Sequence, residues 1–158
     1  MINTQELRIG NYVLYNDQAI LVKGVKENTV FLDGVLVETY NLNPPYDYKP
    51  ISADDACLRP IPLCDAILQK IRLRMPIEGG YCYTYYKNYP TFLIYLNNNN
   101  GYYIGLNYQG EVCRVTPGPL YYLHQLQNIY YAQYGIEMDV NERILKQSVQ
   151  NAIVAGVI

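Results

Sequence analysis

Short runs of hydrophobic residues, broken by polar pairs, make up the first fifty residues of the chain. Asn16-Asp17 and Glu27-Asn28 separate the runs, and both pairs are of the kind that favours tight turns. Alternation is visible in the third run, where Val30 and Leu32 stand against Phe31 and Asp33, as is typical of a strand that buries one face. The runs are Leu7–Tyr15, Ala19–Val25 and Thr29–Tyr40. We therefore predict an SH3-like or small β-barrel segment over residues 1–50.

After residue 50 the pattern becomes a mixture of strands and helices. Arg59–Leu63 is an extended approach to a short helix that begins near Asp65. Four strand-like runs follow, separated by turns that contain Asn, Gly or Pro, and they predict an antiparallel meander. The runs are Tyr81–Tyr86, Thr91–Leu96, Tyr102–Asn107 and Glu111–Val115.

Two further helices are predicted after the meander. Apolar residues at helical spacing predict a long helix over Leu120–Tyr134, with Gly135 as its left-handed cap. Asp139 and Glu142 have the spacing of a capping box, which predicts a final helix from near Val140.

The fold class that these elements predict is α+β. The N-terminal SH3-like or small β-barrel segment, 1–50, leads into an antiparallel sheet packed by two or three helices, 51–158. Both segments could also belong to one continuous domain, since 158 residues is an ordinary domain length.

Composition and charge narrow the classes of partner. The chain has 12 Lys and Arg against 14 Asp and Glu, a net charge of −2. This balance does not favour nucleic acid, since proteins that neutralise phosphates usually have a basic face. The sequence has no export signal and no run of about 20 apolar residues, so we expect a cytoplasmic protein that does not enter membranes.

Four cysteines, Cys57, Cys64, Cys82 and Cys113, carry no metal-site spacing. Structural zinc sites are usually built from CxxC pairs, and the chain has none. We therefore expect free, largely buried thiols and no cofactor.

Tyrosine is the unusual feature of the composition, with 19 residues against 2 Phe and no Trp. A tyrosine ring offers a flat apolar face and a polar tip. The rings either replace Phe and Trp in the core or form a surface on which a partner packs.

One polar stripe lies on the predicted long helix. His124, Gln127, Asn128 and Tyr131 are spaced i, i+3, i+4 and i+7 and therefore share one face. As a binding site, the stripe would recognise a partner through its amides and imidazole. In the structural interpretation, the same groups hydrogen-bond neighbouring strand ends and hold the helix on the sheet.

Catalysis is the rival interpretation of the same histidine. A small hydrolase or transferase would use His124 as a base, with a cysteine or carboxylate supplied by the sheet. No glycine-rich turn around a nucleophile, phosphate loop or metalloprotease motif is present, so we lean away from an enzyme.

An apolar tail, residues 152–158, carries no charged side chain. It is too short to cross a membrane. It packs on its own core, pairs at a sheet edge or meets a second copy, and the last case would make the protein an architectural oligomeric subunit.

Four segments in order, ELRIGNYV, RPIPL, GYYIGL and LHQLQNIYYAQYG, carry a family resemblance. They resemble proteins of unknown activity from gut-bacterial (Bacteroidales) genomes, often in prophage or mobile-element surroundings, which share an "HQLQNLyfaltG"-like helix. Matching positions are Arg8, Gly10, Asn11, Pro60–Leu63 and His124–Asn128. The resemblance implies a phage or mobile-element context and no particular activity.

Together these features favour a non-enzymatic binding or adaptor protein. Its partner is expected to be a protein, met by a tyrosine face or by the polar stripe of the long helix.

Overall fold

A computed structural model describes residues 2–36, 48–69, 75–77, 80–83, 91–96, 101–108, 111–116 and 118–158. The chain forms two compact units. The first contains residues 1–62, 122–138 and 149–158, and the second contains residues 63–121 and 139–148.

The first unit is built on a curled, five-stranded antiparallel sheet. A short 3-10 helix, η1 (Thr4–Glu6), precedes the sheet. The strands are β1 (Tyr12–Tyr15), β2 (Gln18–Lys26), β3 (Thr29–Leu36), β4 (Tyr48–Ser52) and β5 (Leu58–Pro60), in the order β4-β3-β2-β1-β5. The predicted runs therefore form strands, while residues 37–40, at the end of the third run, lie outside the described residues.

Turn chemistry and alternation explain this sheet. Asn16 and Asp17 have φ angles of 50° and 61°, the left-handed pair that a two-residue hairpin requires. The inward positions of the strands are fully buried and form one core. Its members include Val13, Val22, Val30, Leu32, Ile51 and Leu58.

The segment between β4 and β5 is a turn. Ser52 and Asp55, which have the spacing of a helix cap, stabilise this turn instead. The Oγ of Ser52 accepts a hydrogen bond from the Asp54 amide at 3.2 Å, and the Oδ1 of Asp55 accepts from the Cys57 amide at 2.8 Å. Both side chains stabilise the turn locally, as short polar residues do outside helices.

The second unit contains the predicted meander. Its strands follow the order β10-β9-β8-β7-β6, and every pair is antiparallel. They are preceded by α1 (Asp65–Leu68). The strands are β6 (Met75–Ile77), β7 (Gly80–Tyr83), β8 (Thr91–Leu96), β9 (Tyr102–Tyr108) and β10 (Glu111–Arg114). Residues 84–86 of the first predicted run lie outside the described residues.

Helix α2 (Leu123–Tyr134) belongs to the first unit. It ends as predicted, because Gly135 has a φ of 69° and its amide donates to the Tyr131 carbonyl at 2.7 Å. It begins three residues later than predicted, since Tyr122 is still extended and forms a β-bridge with Pro62.

Helix α3 (Glu142–Val154) begins at a different cap from the one predicted. The Oδ1 of Asn141 accepts a hydrogen bond from the Ile144 amide at 3.1 Å, so Asn141 occupies the cap position expected of Asp139. Residues of α3 up to 148 belong to the second unit and those from 149 to the first.

The α+β class is confirmed, with antiparallel sheets and helices in both units. Among the described residues, no helix is both long enough and apolar enough to cross a bilayer. The predicted division into 1–50 and 51–158 stays a prediction.

Candidate functional site

A tight turn at Arg8–Asn11 prepares the surface on which α2 lies. The side chain of Asn11 is fully buried, and its Oδ1 accepts a hydrogen bond from the Arg8 amide at 2.9 Å. Gly10 has a φ of 94°, and a Cβ atom there would lie 2.8 Å from the Oε1 of Glu137. The turn therefore favours glycine both for its backbone conformation and for its space.

Gln127 joins α2 to this turn through both ends of its amide. Its Oε1 accepts from the Tyr12 backbone amide at 3.0 Å, and its Nε2 donates to the Gly10 carbonyl at 3.1 Å. The side chain is 1% exposed. Gln127 thus provides the hydrogen-bond partner for the backbone amide of Tyr12 and for the backbone carbonyl of Gly10.

Asn128, the next residue, makes a second pair of contacts with the N-terminal segment. Its Nδ2 donates to the Glu6 carbonyl at 2.5 Å, and its Oδ1 accepts from the Asn11 Nδ2 at 2.9 Å. Two adjacent amides of α2 therefore hold both η1 and the following turn.

His124 lies one turn earlier and is 2% exposed. Its ring stacks on Tyr122, with centroids 5.7 Å apart and planes 9° apart, and its Nε2 is 3.5 Å from the Oε2 of Glu6. Burial lowers the pKa of His124 below its ordinary value of 6.5, although the hydrogen bond and charge of Glu6 oppose the shift. The imidazole is therefore neutral at pH 7.

Glu6 is half-exposed and is held by three side chains. Its Oε2 accepts from the Gln125 Nε2 at 3.2 Å, and its Oε1 accepts from the Asn3 Nδ2 at 3.1 Å. Burial alone would raise the pKa of Glu6, but the hydrogen bonds from Gln125, Asn3 and His124 and the His124 charge together lower it. Glu6 is a carboxylate throughout the neutral range.

Arg8 closes the outer edge of the network. Its guanidinium forms a two-pronged ion pair with Glu137, at 2.5 and 2.8 Å, and donates to the Gln127 carbonyl at 3.3 Å. The same group lies 4.1 Å from the ring centroid of Tyr131, within cation–π range. Tyr131 itself is 42% exposed.

All of the predicted stripe residues thus contact or adjoin the N-terminal segment. Gln127 and Asn128 use their amides to hold α2, as the structural interpretation expects, and Tyr131 is the member whose ring reaches the surface. A role of the stripe in binding stays a prediction.

Sequence reasoning did not identify Glu6 and Glu137 as partners. No local pattern marks them as partners, and they are identified only because the structure places the Arg8–Asn11 turn against residues 124–128 of α2.

The predicted burial of the cysteine thiols is partly wrong. Cys57 and Cys113 are exposed and Cys64 is half-buried, whereas largely buried thiols were expected. Cys57 follows a surface turn and Cys113 lies on an edge strand, and neither place buries its side chain. The described part of the chain has no group of three His, Cys, Asp or Glu side chains that could bind a metal ion.

No family model, curated protein or solved structure matches the chain.

Proposed function

We propose that the chain is a non-enzymatic, protein-binding adaptor of phage or mobile-element origin. Its partner packs on the Tyr131 surface, which we define as Arg8, Ile9, Tyr131 and Ile136. Residue types carry the argument: Tyr and Arg are enriched at the energetic centres of protein interfaces.

The exposure of these side chains supports the proposal. Ile9 is 62% exposed, Tyr131 42% and Ile136 36%. Arg8 links the three chain segments that carry them: it donates to the Ile9 carbonyl at 2.9 Å, contacts the Tyr131 ring and binds Glu137, the residue after Ile136. Large apolar side chains grouped around an aromatic ring are typical of a binding surface.

Preorganisation is the second argument. The guanidinium of Arg8 is fixed by Glu137 and by the Gln127 carbonyl, so it holds one face of the Tyr131 ring before any partner arrives. A rigid aromatic side chain loses little conformational freedom on binding, which favours affinity.

The charge of this surface favours an apolar protein partner over nucleic acid. Glu137 matches the positive charge of Arg8, so the surface offers a phosphate backbone no unpaired guanidinium. The partner is therefore expected to present an apolar patch.

A pull-down from host lysate, with and without nuclease, compares Tyr131→Ser with Tyr121→Ser. Tyr121 is a matched control because its ring is 48% exposed in the second unit. A stoichiometric, nuclease-resistant partner should bind the wild type and the control equally and the Tyr131 variant about tenfold or more weakly. Equal capture by both variants, or capture that nuclease abolishes, contradicts the proposal.

An architectural oligomeric subunit is the second proposal, and the tail supports it. Ala152 is buried, but Val154 is 87% and Val157 56% exposed. Gly156, with a φ of 66°, ends α3, and the Val157 amide donates to the Ala152 carbonyl at 2.9 Å, so the tail has a defined turn. Light scattering should give an oligomer for the wild type and a monomer for Val154→Asp with Val157→Asp.

A hydrolase or transferase using His124 is the weaker proposal. The imidazole is 2% exposed and its Nε2 is directed at Glu6, so no substrate reaches it without movement of η1.

Two further proposals concern the fold and the location of the protein. The first sheet is proposed to be SH3-like, and the protein is proposed to be cytoplasmic. The curled antiparallel strand order supports the former.

A further inference from the structure

His124 and Glu6 form the only contact in the described network between an imidazole and a carboxylate, and we call it the Glu6–His124 junction. It joins η1 to the first turn of α2. In addition to the imidazole contact, Gln125 donates to the Glu6 side chain and Asn128 to its carbonyl. These contacts join η1 to one end of α2, while the flanking Ile2 and Leu7 are buried separately in the core of the first unit.

Protonation would change the hydrogen-bonding needs of this buried ring. A neutral imidazole has one donor and one acceptor nitrogen, whereas the imidazolium has two donors. The Nε2 is 3.5 Å from the Glu6 Oε2, a long ion-pair distance, and neither buried ring nitrogen has a hydrogen-bond partner of normal geometry among the described residues. A second N–H at Nδ1 would be a buried, charged and unsatisfied donor, which is strongly unfavourable.

The charges around the junction do not remove this penalty. Glu6, on η1, is the ionisable side chain within contact distance, and it is half-exposed, so water screens it. Farther along α2, Arg8 and Glu137 form an ion pair, so their charges cancel. On its other side the imidazole stacks on the ring of Tyr122, which adds no charged group to the contact.

We infer that the Glu6–His124 junction is a pH-sensitive contact, closed at neutral pH and opened by protonation of His124, which releases η1 from α2. Opening lets water reach the imidazolium and frees the Glu6 carbonyl from Asn128. This inference does not depend on the proposed partner.

The sign of the linkage supports the same direction. The folded pKa of His124 lies below its ordinary value of 6.5, so its contribution to stability is complete above pH 6.5 and declines as the pH falls below it. The pKa of Glu6 is also lowered, from its ordinary value of 4.5. The contribution of Glu6 to stability is therefore lost only at more acidic pH. Between pH 6.5 and 5 the change therefore belongs to His124.

The experiment uses the single histidine of the chain as its own probe. Imidazole NMR signals follow His124 between pH 7.5 and 5. Amide exchange, corrected for its intrinsic pH dependence, follows residues 4–8, with residues 20–22 of β2 as the internal control. We expect protection at 4–8 to fall with the His124 titration while the control stays protected.

Two variants make the test sharp. His124→Phe keeps a flat ring but cannot titrate, so its residues 4–8 should show no loss of protection over this range. Glu6→Gln removes the carboxylate that favours a protonated ring inside the closed junction, so opening should occur at the same or a higher pH than in the wild type.

Three outcomes would overturn the inference. Protection at 4–8 could stay constant while His124 titrates, the control strand could open together with it, or His124→Phe could show the same loss. If His124→Phe does not fold, the wild type alone decides. The midpoint of the His124 titration and the midpoint of the loss of protection at residues 4–8 must coincide.

Discussion

Single side chains explain most of what holds α2 in place. Gln127 bonds the backbone much as a neighbouring strand would: its side chain accepts a hydrogen bond from the Tyr12 amide and donates one to the Gly10 carbonyl. Gly10 supplies the left-handed turn, and Asn11 fixes the turn from inside. An amide-rich stripe therefore has a complete structural account before any partner is considered.

Gln127→Ala should lower the free energy of unfolding by roughly 2–4 kcal/mol, since it leaves two backbone groups without this partner. Gln133→Ala, at an exposed position of α2, is the matched control and should change it by less than about 0.5 kcal/mol. Urea unfolding measures both. A Gln127 variant as stable as the control would refute the structural role.

At the scale of elements, periodicity and turn residues predicted β1 to β3, β7 to β10 and the C-terminal end of α2, whereas the short strands β4, β5 and β6 were not predicted. The start of α2 was wrong by three residues because Tyr122 bridges Pro62, a long-range pairing that local helix propensity does not reveal. The stripe on α2 was predictable from spacing alone. Its partners Glu6 and Glu137 were not, since they lie 118 and 13 residues from His124 in sequence and meet it or its neighbours only after folding.

The C-terminal end of α2 gives a prediction for an element boundary. Gly135→Ala should lower the free energy of unfolding by about 1 kcal/mol, because a Cβ atom disfavours the left-handed conformation. The space around Gly135 is open, so the cost is conformational and not steric.

Gly118→Ala is the control for that substitution. Gly118 also has open space around it, but its φ is outside the left-handed range. Its variant should be neutral or slightly stabilised, since alanine restricts the unfolded chain. Equal losses in both variants, measured by thermal unfolding, would show that the cap is not the cause.

At the scale of the whole molecule, charge pairing limits the class of partner. The net charge is −2, and four basic side chains of the described residues pair with carboxylates. The pairs are Arg8–Glu137, Lys23–Asp33, Arg59–Asp17 and Lys146–Glu142. Phosphate contacts made through these four side chains would have to break the pairs, whereas binding through Tyr131 and Ile9 would leave them intact.

Nucleic-acid affinity is therefore expected to be weak, and fluorescence anisotropy with random-sequence duplex and single-stranded DNA tests this directly. At 150 mM salt we expect a Kd weaker than about 10 μM for both probes, within the range of non-specific binding. A protein that neutralises six or more phosphates would instead bind tightly and lose about a thousandfold in affinity between 50 and 200 mM salt. Submicromolar binding with that salt dependence would contradict the protein-adaptor proposal, and Tyr131→Ser would then separate base stacking from phosphate contact. Weak, salt-insensitive binding would direct the search to a protein whose apolar patch fits the Tyr131 surface.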